Sequence, residues 1–252
     1  MLDTRESFEY QWKNIPEGAY LLSDGKFREN VDKILLDEMN MSRDRFGGSL
    51  VLDAGCGNGR WTYGFLKLGC QVVALDYTWS GCIGTKNNTR QFRYAHIILA
   101  DILHMPLRRN VFDIVFCWGV LHHTGDMRRG FRNLTNVLKK GGILHIYVYG
   151  PKSLRVRLWR KVFSLFSYVN RLALIKALTL IINRFQKLRV VIPLSPSIHG
   201  SFDTYSPSIN DESSEEYVVS LFKENCFKSI RRLYPKWCNA KFSQDIHMQG
   251  EK

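Results

Sequence analysis

The sequence predicts an α/β fold: a doubly wound, mostly parallel seven-stranded sheet with an antiparallel last strand and a helical insertion after strand five. Three observations carry this. Short apolar runs alternate with stretches of helical periodicity through residues 47–150. The first apolar run opens into a glycine-rich loop, and the alternation stops at Gly150-Pro151.

Residues 1–46 read as a helical N-terminal cap, in which Val31, Ile34, Leu35 and Leu36 keep helical spacing and Gly47-Gly48 ends the segment. Residues 49–54 (SLVLDA) form a short apolar run of the kind buried on both faces of a parallel sheet. A helix over 60–68 follows, closed by Gly69. Further strands are expected at 70–75, 97–100, 112–117 and 143–149, with a helix over 129–138 terminated by Gly141-Gly142. Beyond Pro151, residues 152–192 read as two basic, apolar helices and residues 193–211 as a Pro/Ser-rich loop. A helix over 213–225 opens with Ser213 and Ser214 ahead of Glu215 and Glu216, an N-terminal signal. Residues 227–233 and 238–242 then close the sheet as an antiparallel pair. The chain divides into the cap (1–46), a core (47–150), the insertion with its loop (151–211) and a C-terminal completion of the core (212–252).

With 252 residues, 45% of them hydrophobic, the chain can bury a sizeable core, which excludes global disorder. Asp3, Arg5, Glu6 and Glu9 interrupt the start, so no secretory apolar region follows Met1. The six cysteines (Cys56, Cys70, Cys82, Cys117, Cys226 and Cys238) contain no C-x-x-C pair; they read as reduced, mostly buried thiols of a cytoplasmic protein, with neither a disulfide framework nor a metal site. The net charge is +13, and residues 127–202 hold fifteen Lys or Arg and no acidic residue. That balance points to an anionic partner: nucleic acid, a membrane surface or an acidic substrate.

The strongest chemical signal is Val51-Leu52-Asp53-Ala54-Gly55-Cys56-Gly57-Asn58-Gly59. Glycines at alternate positions let a ligand approach the backbone, and the helix beyond them offers free N–H groups. The dinucleotide fingerprint needs a third glycine three residues after the second, and Arg60 stands there. Asp76 ends the second strand, where a carboxylate can accept both hydroxyls of a ribose; Asp101 follows the third.

The D-x-G-x-G-x-G run resembles the first motif of class I S-adenosylmethionine-dependent methyltransferases. Residues 113–149 resemble the methyltransferase type 11 subgroup that includes ubiquinone- and menaquinone-biosynthesis enzymes, departing at Lys140, where the family usually has proline. The resemblance covers roughly residues 47–150 and implies a Rossmann-like fold and the cofactor S-adenosylmethionine. It implies that Gly55, Gly57 and Gly59 hold the methionyl part, that Asp53 fixes the loop and the ammonium group, that Asp76 with Tyr77 meets the ribose, and that Asp101 and the Ile102 N–H meet the adenine. Trp118 is expected to line the cofactor pocket or to be a core aromatic. His122 and His123 follow strand four, at the carboxyl edge where ligands bind; one is a candidate base, against the alternatives of capping and packing. The segment from His199 to Pro207, with its F-D-x-Y-S-P run, resembles one in many such methyltransferases, and makes His199 and Tyr205 candidate substrate contacts.

The expected reaction is methyl transfer to a small-molecule, glycan or lipid-linked acceptor at oxygen or activated carbon. The alternatives are RNA methylation and cofactor binding without turnover. Against RNA stand the lack of an appended RNA-binding module, of an N-P-P-[YF] motif and of paired catalytic cysteines. Residues 152–192 are expected to cap the substrate pocket with their basic face in water; the second reading is a cytoplasmic protein in peripheral contact with an anionic membrane, at the inner membrane surface.

Overall fold

The computed structural model describes residues 4–15, 21–185, 191–195 and 197–252. Helices α1 (Thr4–Asn14) and α2 (Gly25–Met39) precede β1 (Leu50–Ala54), α3 (Arg60–Lys67), β2 (Gln71–Asp76), α4 (Trp79–Thr89), β3 (Ala95–Leu99), β4 (Phe112–Trp118), α5 (Met127–Val137) and β5 (Leu138–Val148). There follow α6 (Leu154–Ser164), α7 (Tyr168–Arg184), α8 (Ile198–Tyr205), α9 (Glu215–Glu224), β6 (Lys228–Leu233) and β7 (Ile246–Glu251). The sheet has seven strands in the order β3-β2-β1-β4-β5-β7-β6, and β7 is antiparallel to both neighbours.

Strands β1 and β4 are mostly apolar because both their faces are covered; Asp53 and Asp113 are the exceptions. One face packs Leu52, Val115, Leu144 and Ile146 against Phe131 of α5 and Phe222 of α9. The other packs Val51, Val72 and Phe116 against Val31 and Leu35 of α2 and Phe65 of α3. Ala54 pairs with Leu75 and Asp76 with Leu99, so the carboxyl ends of β1, β2 and β3 finish at one edge. The strand order reverses between β1 and β4, and in open α/β sheets ligands bind outside that point. A third, smaller core gathers Phe163, Leu172, Ile175, Ile182 and Phe202 from α6, α7 and α8, together with Ile15.

Three expectations are corrected. Residues 238–242 are not a strand: the amides of Lys236 and Trp237 donate to Asp37 Oδ2 of α2 (2.7 and 3.0 Å), Asn239 is left-handed at φ 53°, and the partner of β6 forms later, as β7. The 193–211 loop contains α8, because the Ser197 hydroxyl accepts the Gly200 N–H (3.0 Å) and Phe202 is fully buried. Helix α5 ends at Val137, before Gly141-Gly142; Gly141 lies inside β5 and its N–H donates to the Lys252 carbonyl at 2.6 Å. Lys187 and Arg189, counted among the cations of the insertion, lie outside the described residues.

Candidate active site

The glycines of the loop between β1 and α3 have no room for side chains. Gly55, Gly57 and Gly59 have φ of 85°, 53° and 83°. A Cβ on Gly55 would stand 2.2 Å from the Val120 side chain, and one on Gly57 would stand 2.3 Å from Trp12. The N–H groups of Gly55 and Cys56 donate to the Leu75 carbonyl (2.6 and 2.9 Å), which ties the loop to β2. Asp76 finishes the job: Oδ2 accepts the Gly57 N–H (2.8 Å), while Oδ1 accepts the Thr78 N–H (2.8 Å) and hydroxyl (2.6 Å). Asp53 faces inward, accepting the Thr62 hydroxyl at 2.5 Å and so clamping the first turn of α3 to β1. Asp101 Oδ1 accepts the Leu103 N–H (2.8 Å), and Oδ2 lies 3.0 Å from His104 Nδ1.

These elements surround a cavity of about 730 Å³. Gly55, Gly57, Asp76, Tyr77, Asp101, Ile102 and Trp118 line it; Gly59 and Asp53 do not. Gly59 serves instead as the close approach of α3 to α4, where a Cβ would meet Thr85 at 2.9 Å. Burial pushes the Asp53 carboxyl up to about 7 and raises that of Asp76 as well, against the hydrogen bonds they accept. Asn58 Oδ1 and Trp61 Nε1, both on lining residues, have no hydrogen-bond partner among the described residues.

A roof covers this edge. Thr4, Arg5, Phe8 and Trp12 of α1 line the cavity, and Glu9 anchors the helix by accepting the N–H groups of Trp79 and Ser80 at the start of α4. Trp12 tilts against His199 of α8, ring centroids 4.8 Å apart. Phe8, Trp12 and Arg60 were missed as site residues. Phe8 and Trp12 sit four apart on a helix, a pair that composition alone hides among ordinary core aromatics. The Arg60 guanidinium stacks over Trp118, 4.4 Å from the ring centroid.

The far end of the cavity is polar and aromatic. Tyr147, Tyr149, Lys152, Asp203 and Asp245 line it. The Tyr149 hydroxyl donates to Asp203, the Tyr147 hydroxyl to Asp245 (3.1 Å), and Lys152 pairs with Asp245. Behind them Glu38, buried on α2, accepts from His145 Nε2 (2.9 Å), His247 Nδ1 (2.6 Å), Trp118 Nε1 (3.1 Å) and Trp237 Nε1 (2.8 Å). Burial opposes its ionisation, yet the two histidine bonds outweigh that and hold the carboxyl well below the usual range. Glu38, His145 and His247 lie close enough to hold a metal ion, but their facing atoms already satisfy one another.

The histidine pair separates. His122 is fully buried, stacked on Tyr149 at 4.0 Å, and does not line the cavity. His123 lines it. Its Nδ1 lies 2.8 Å from the Ile209 carbonyl, an acceptor only, so Nδ1 carries the proton and Nε2 keeps a lone pair. That Nε2 has no partner among the described residues, and burial lowers the ring's pKa, with Asp203 opposing. His199 lines the cavity, and burial brings its pKa down to about 4. Tyr205 does not line it: the side chain is buried against Phe163 and its hydroxyl donates to the Pro193 carbonyl at 2.6 Å.

A family model described as a methyltransferase domain matches residues 52–146. A putative methyltransferase of Encephalitozoon cuniculi is 37% identical over 108 residues, covering 42% of this chain and 47% of that one. A probable tRNA methyltransferase 9B of Mus musculus is 34% identical over 110 residues, 42% of this chain and 23% of the relative. The chain thus spans between about a quarter and about half the length of these curated relatives. Among solved structures, the magnesium protoporphyrin IX methyltransferase of Synechocystis PCC 6803 with bound SAH superimposes with a TM-score of 0.61 at 14% identity, over 98% of this chain and 97% of that one, a likeness of fold.

Proposed function

We infer, for a chain that carries a class I S-adenosylmethionine-dependent methyltransferase domain, that the cavity binds this cofactor at its glycine end and a methyl acceptor at its tyrosine end. The observation that carries the reading is the convergence of three strand ends, with Gly57, Asp76 and Asp101, on one cavity. The residues fit the group. The loop is a cradle that a Cβ would fill, and Asn58 and Trp61 keep buried polar atoms without a partner among the described residues.

When bound, S-adenosylmethionine supplies a methyl group on a sulfonium, already electrophilic. Gly55, Gly57 and Asn58 would hold its methionyl part, Asp76 and Tyr77 its ribose, and Asp101 with Ile102 its adenine. Phe8 and Trp12 exclude water from that end. His123 supports a hydroxyl or activated-carbon acceptor: its Nε2 takes the acceptor's proton and later returns it to solvent, while the Ile209 carbonyl fixes the tautomer that allows this. Tyr147, Tyr149, Asp203 and Lys152 supply the polar contacts that orient a small-molecule, glycan or lipid-linked acceptor. A second reading, tRNA methylation, draws on the 34% identity to the probable tRNA methyltransferase 9B and on the cations of residues 127–202.

Calorimetry with S-adenosylhomocysteine should give a saturable isotherm, and no heat from folded protein at high ligand would sink the reading. Labelled cofactor in fractionated extract then identifies the acceptor; label in tRNA would select the second reading. With the acceptor in hand, His123→Ala should lower kcat/KM by roughly 10²–10⁴-fold and leave S-adenosylhomocysteine affinity unchanged. Because burial lowers the pKa of His123, the base stays neutral as pH falls to the usual 6.5. The rate should hold to that point and fall only below it, as the ring gains its proton.

A further inference from the structure

Helices α6 and α7 each bury one face on the small core around Phe163, Leu172 and Ile175. Their opposite faces are not the basic polar surface that a simple pocket cap presents. Along α6 and its C-cap, Leu154, Leu158, Val162 and Leu165 recur at helical spacing as one stripe, and Leu154 and Leu165 are 71% and 81% exposed. On α7, Val169 and Leu180 continue the pattern at 61% and 72% exposure. Apolar surface of this extent on the outside of a folded chain marks an interaction site. Lys161, Lys176 and Arg184 are exposed beside these side chains. Arg155, Leu158, Trp159 and Val191 enclose an apolar depression of about 300 Å³ with a guanidinium among its walls.

We propose that this face docks on an anionic lipid bilayer, with the leucine stripe entering the headgroup region and the cations facing lipid phosphates. Charge complementarity selects the occupant. Glu212 takes up Arg157 and Arg160, but Lys161, Lys176 and Arg184 stay exposed and residues 127–202 contain no acidic side chain, so a second copy docking through the same face would bring one cationic face against another and be repelled. A nucleic acid would satisfy the cations and leave the leucines in water. A membrane surface satisfies both, because an interfacial helix combines apolar insertion with attraction to anionic headgroups. No helix among the described residues is long and apolar enough to cross a membrane, so the contact is peripheral. Lys152, two residues before α6, lines the cavity, so the docked face adjoins its acceptor end. The proposal does not depend on which acceptor is methylated.

The test is co-sedimentation of the full chain with phosphatidylcholine vesicles, with and without phosphatidylglycerol, at low and physiological salt. Binding is expected on the anionic vesicles and weaker by about tenfold or more on the neutral ones, since each cation near an anionic surface contributes about fivefold. It should also weaken with salt as the screening length shortens to about 8 Å. The double variants Leu158→Ser/Leu165→Ser and Lys161→Glu/Lys176→Glu should each weaken binding by about tenfold or more, with thermal melting close to that of the parent. If the leucine variant melts early, the charge variant carries the test. No binding to anionic vesicles at low salt overturns the proposal. So does equal binding to neutral vesicles, parent-like binding by both variants, leucine-dependent self-association without vesicles, or RNA binding lost only in the charge variant.

Discussion

The strand edge that forms the floor of the cavity and the helical roof above it are built on opposite terms. At the floor, Asp76 is committed to Gly57 and Thr78, Asp53 to Thr62, and Asp101 to Leu103. Every one of these bonds is made by the chain to itself, so the floor is rigid before any ligand arrives. The roof is held by a capping carboxylate, Glu9, by aromatic contacts and by a small core of its own, and it keeps large apolar side chains in water. The floor is tied within and between neighbouring strand ends, whereas α1 of the roof is tied across the chain, by Glu9 to α4 and by Thr4 to Ser208 and Ile209.

Three substitutions sharpen that contrast. Gly55→Val adds a side chain at φ 85° with its Cβ 2.2 Å from Val120. Strain and overpacking together should cost about 2–5 kcal/mol, lowering the melting temperature and removing measurable S-adenosylhomocysteine binding. Asp76→Ala should weaken that affinity by roughly 2–3 kcal/mol, because hydrogen bonds to a charged group are worth about 1.5–3 kcal/mol each; unchanged calorimetry would take Asp76 out of the site. Phe8→Ala on the roof removes an edge contact to His123 at 4.9 Å and should cost only about 1 kcal/mol of affinity. If Phe8→Ala proves as damaging as Asp76→Ala, the division between floor and roof fails.

The same division decided what the sequence could reveal. The floor was legible because each of its functions is written locally: an apolar run, then glycines, then an acid at the next strand end. Those patterns are short and periodic, and the structure brings Gly55, Gly57, Asp76, Tyr77, Asp101, Ile102 and Trp118 to one cavity. The roof was legible only as a helical cap and through His199, because α1 reaches the site from the far end of the chain and its Phe8 and Trp12 look like any other helix aromatics. Glu38 is a similar case. Its partners come from β4, β5, β7 and the turn before β7, a convergence that no spacing announces. The misplaced last strand has the same origin: residues 238–242 have a strand's composition, but Asp37 of α2 takes the preceding amides and turns the chain away. His122 and His123 are neighbours in sequence, and only packing assigns one to the core and the other to the cavity.

The position of β7 bears on how the molecule assembles as it is made. Strand β6 leaves the ribosome before β7, yet among the described residues its only ladder is with β7, which sits between it and β5. Until β7 inserts, β6 has nothing to pair with, and the edge of β5 stands open. Glu38, synthesised far earlier, is meanwhile short of Trp237 and His247, two of its four donors. A buried carboxylate lacking such partners costs about 1–3 kcal/mol or more for each. The half-built sheet is therefore penalised at its edge and beneath its centre at once, and the segment from Trp237 through β7 relieves both, Trp237 and His247 reaching Glu38 as β7 fills the gap between β5 and β6.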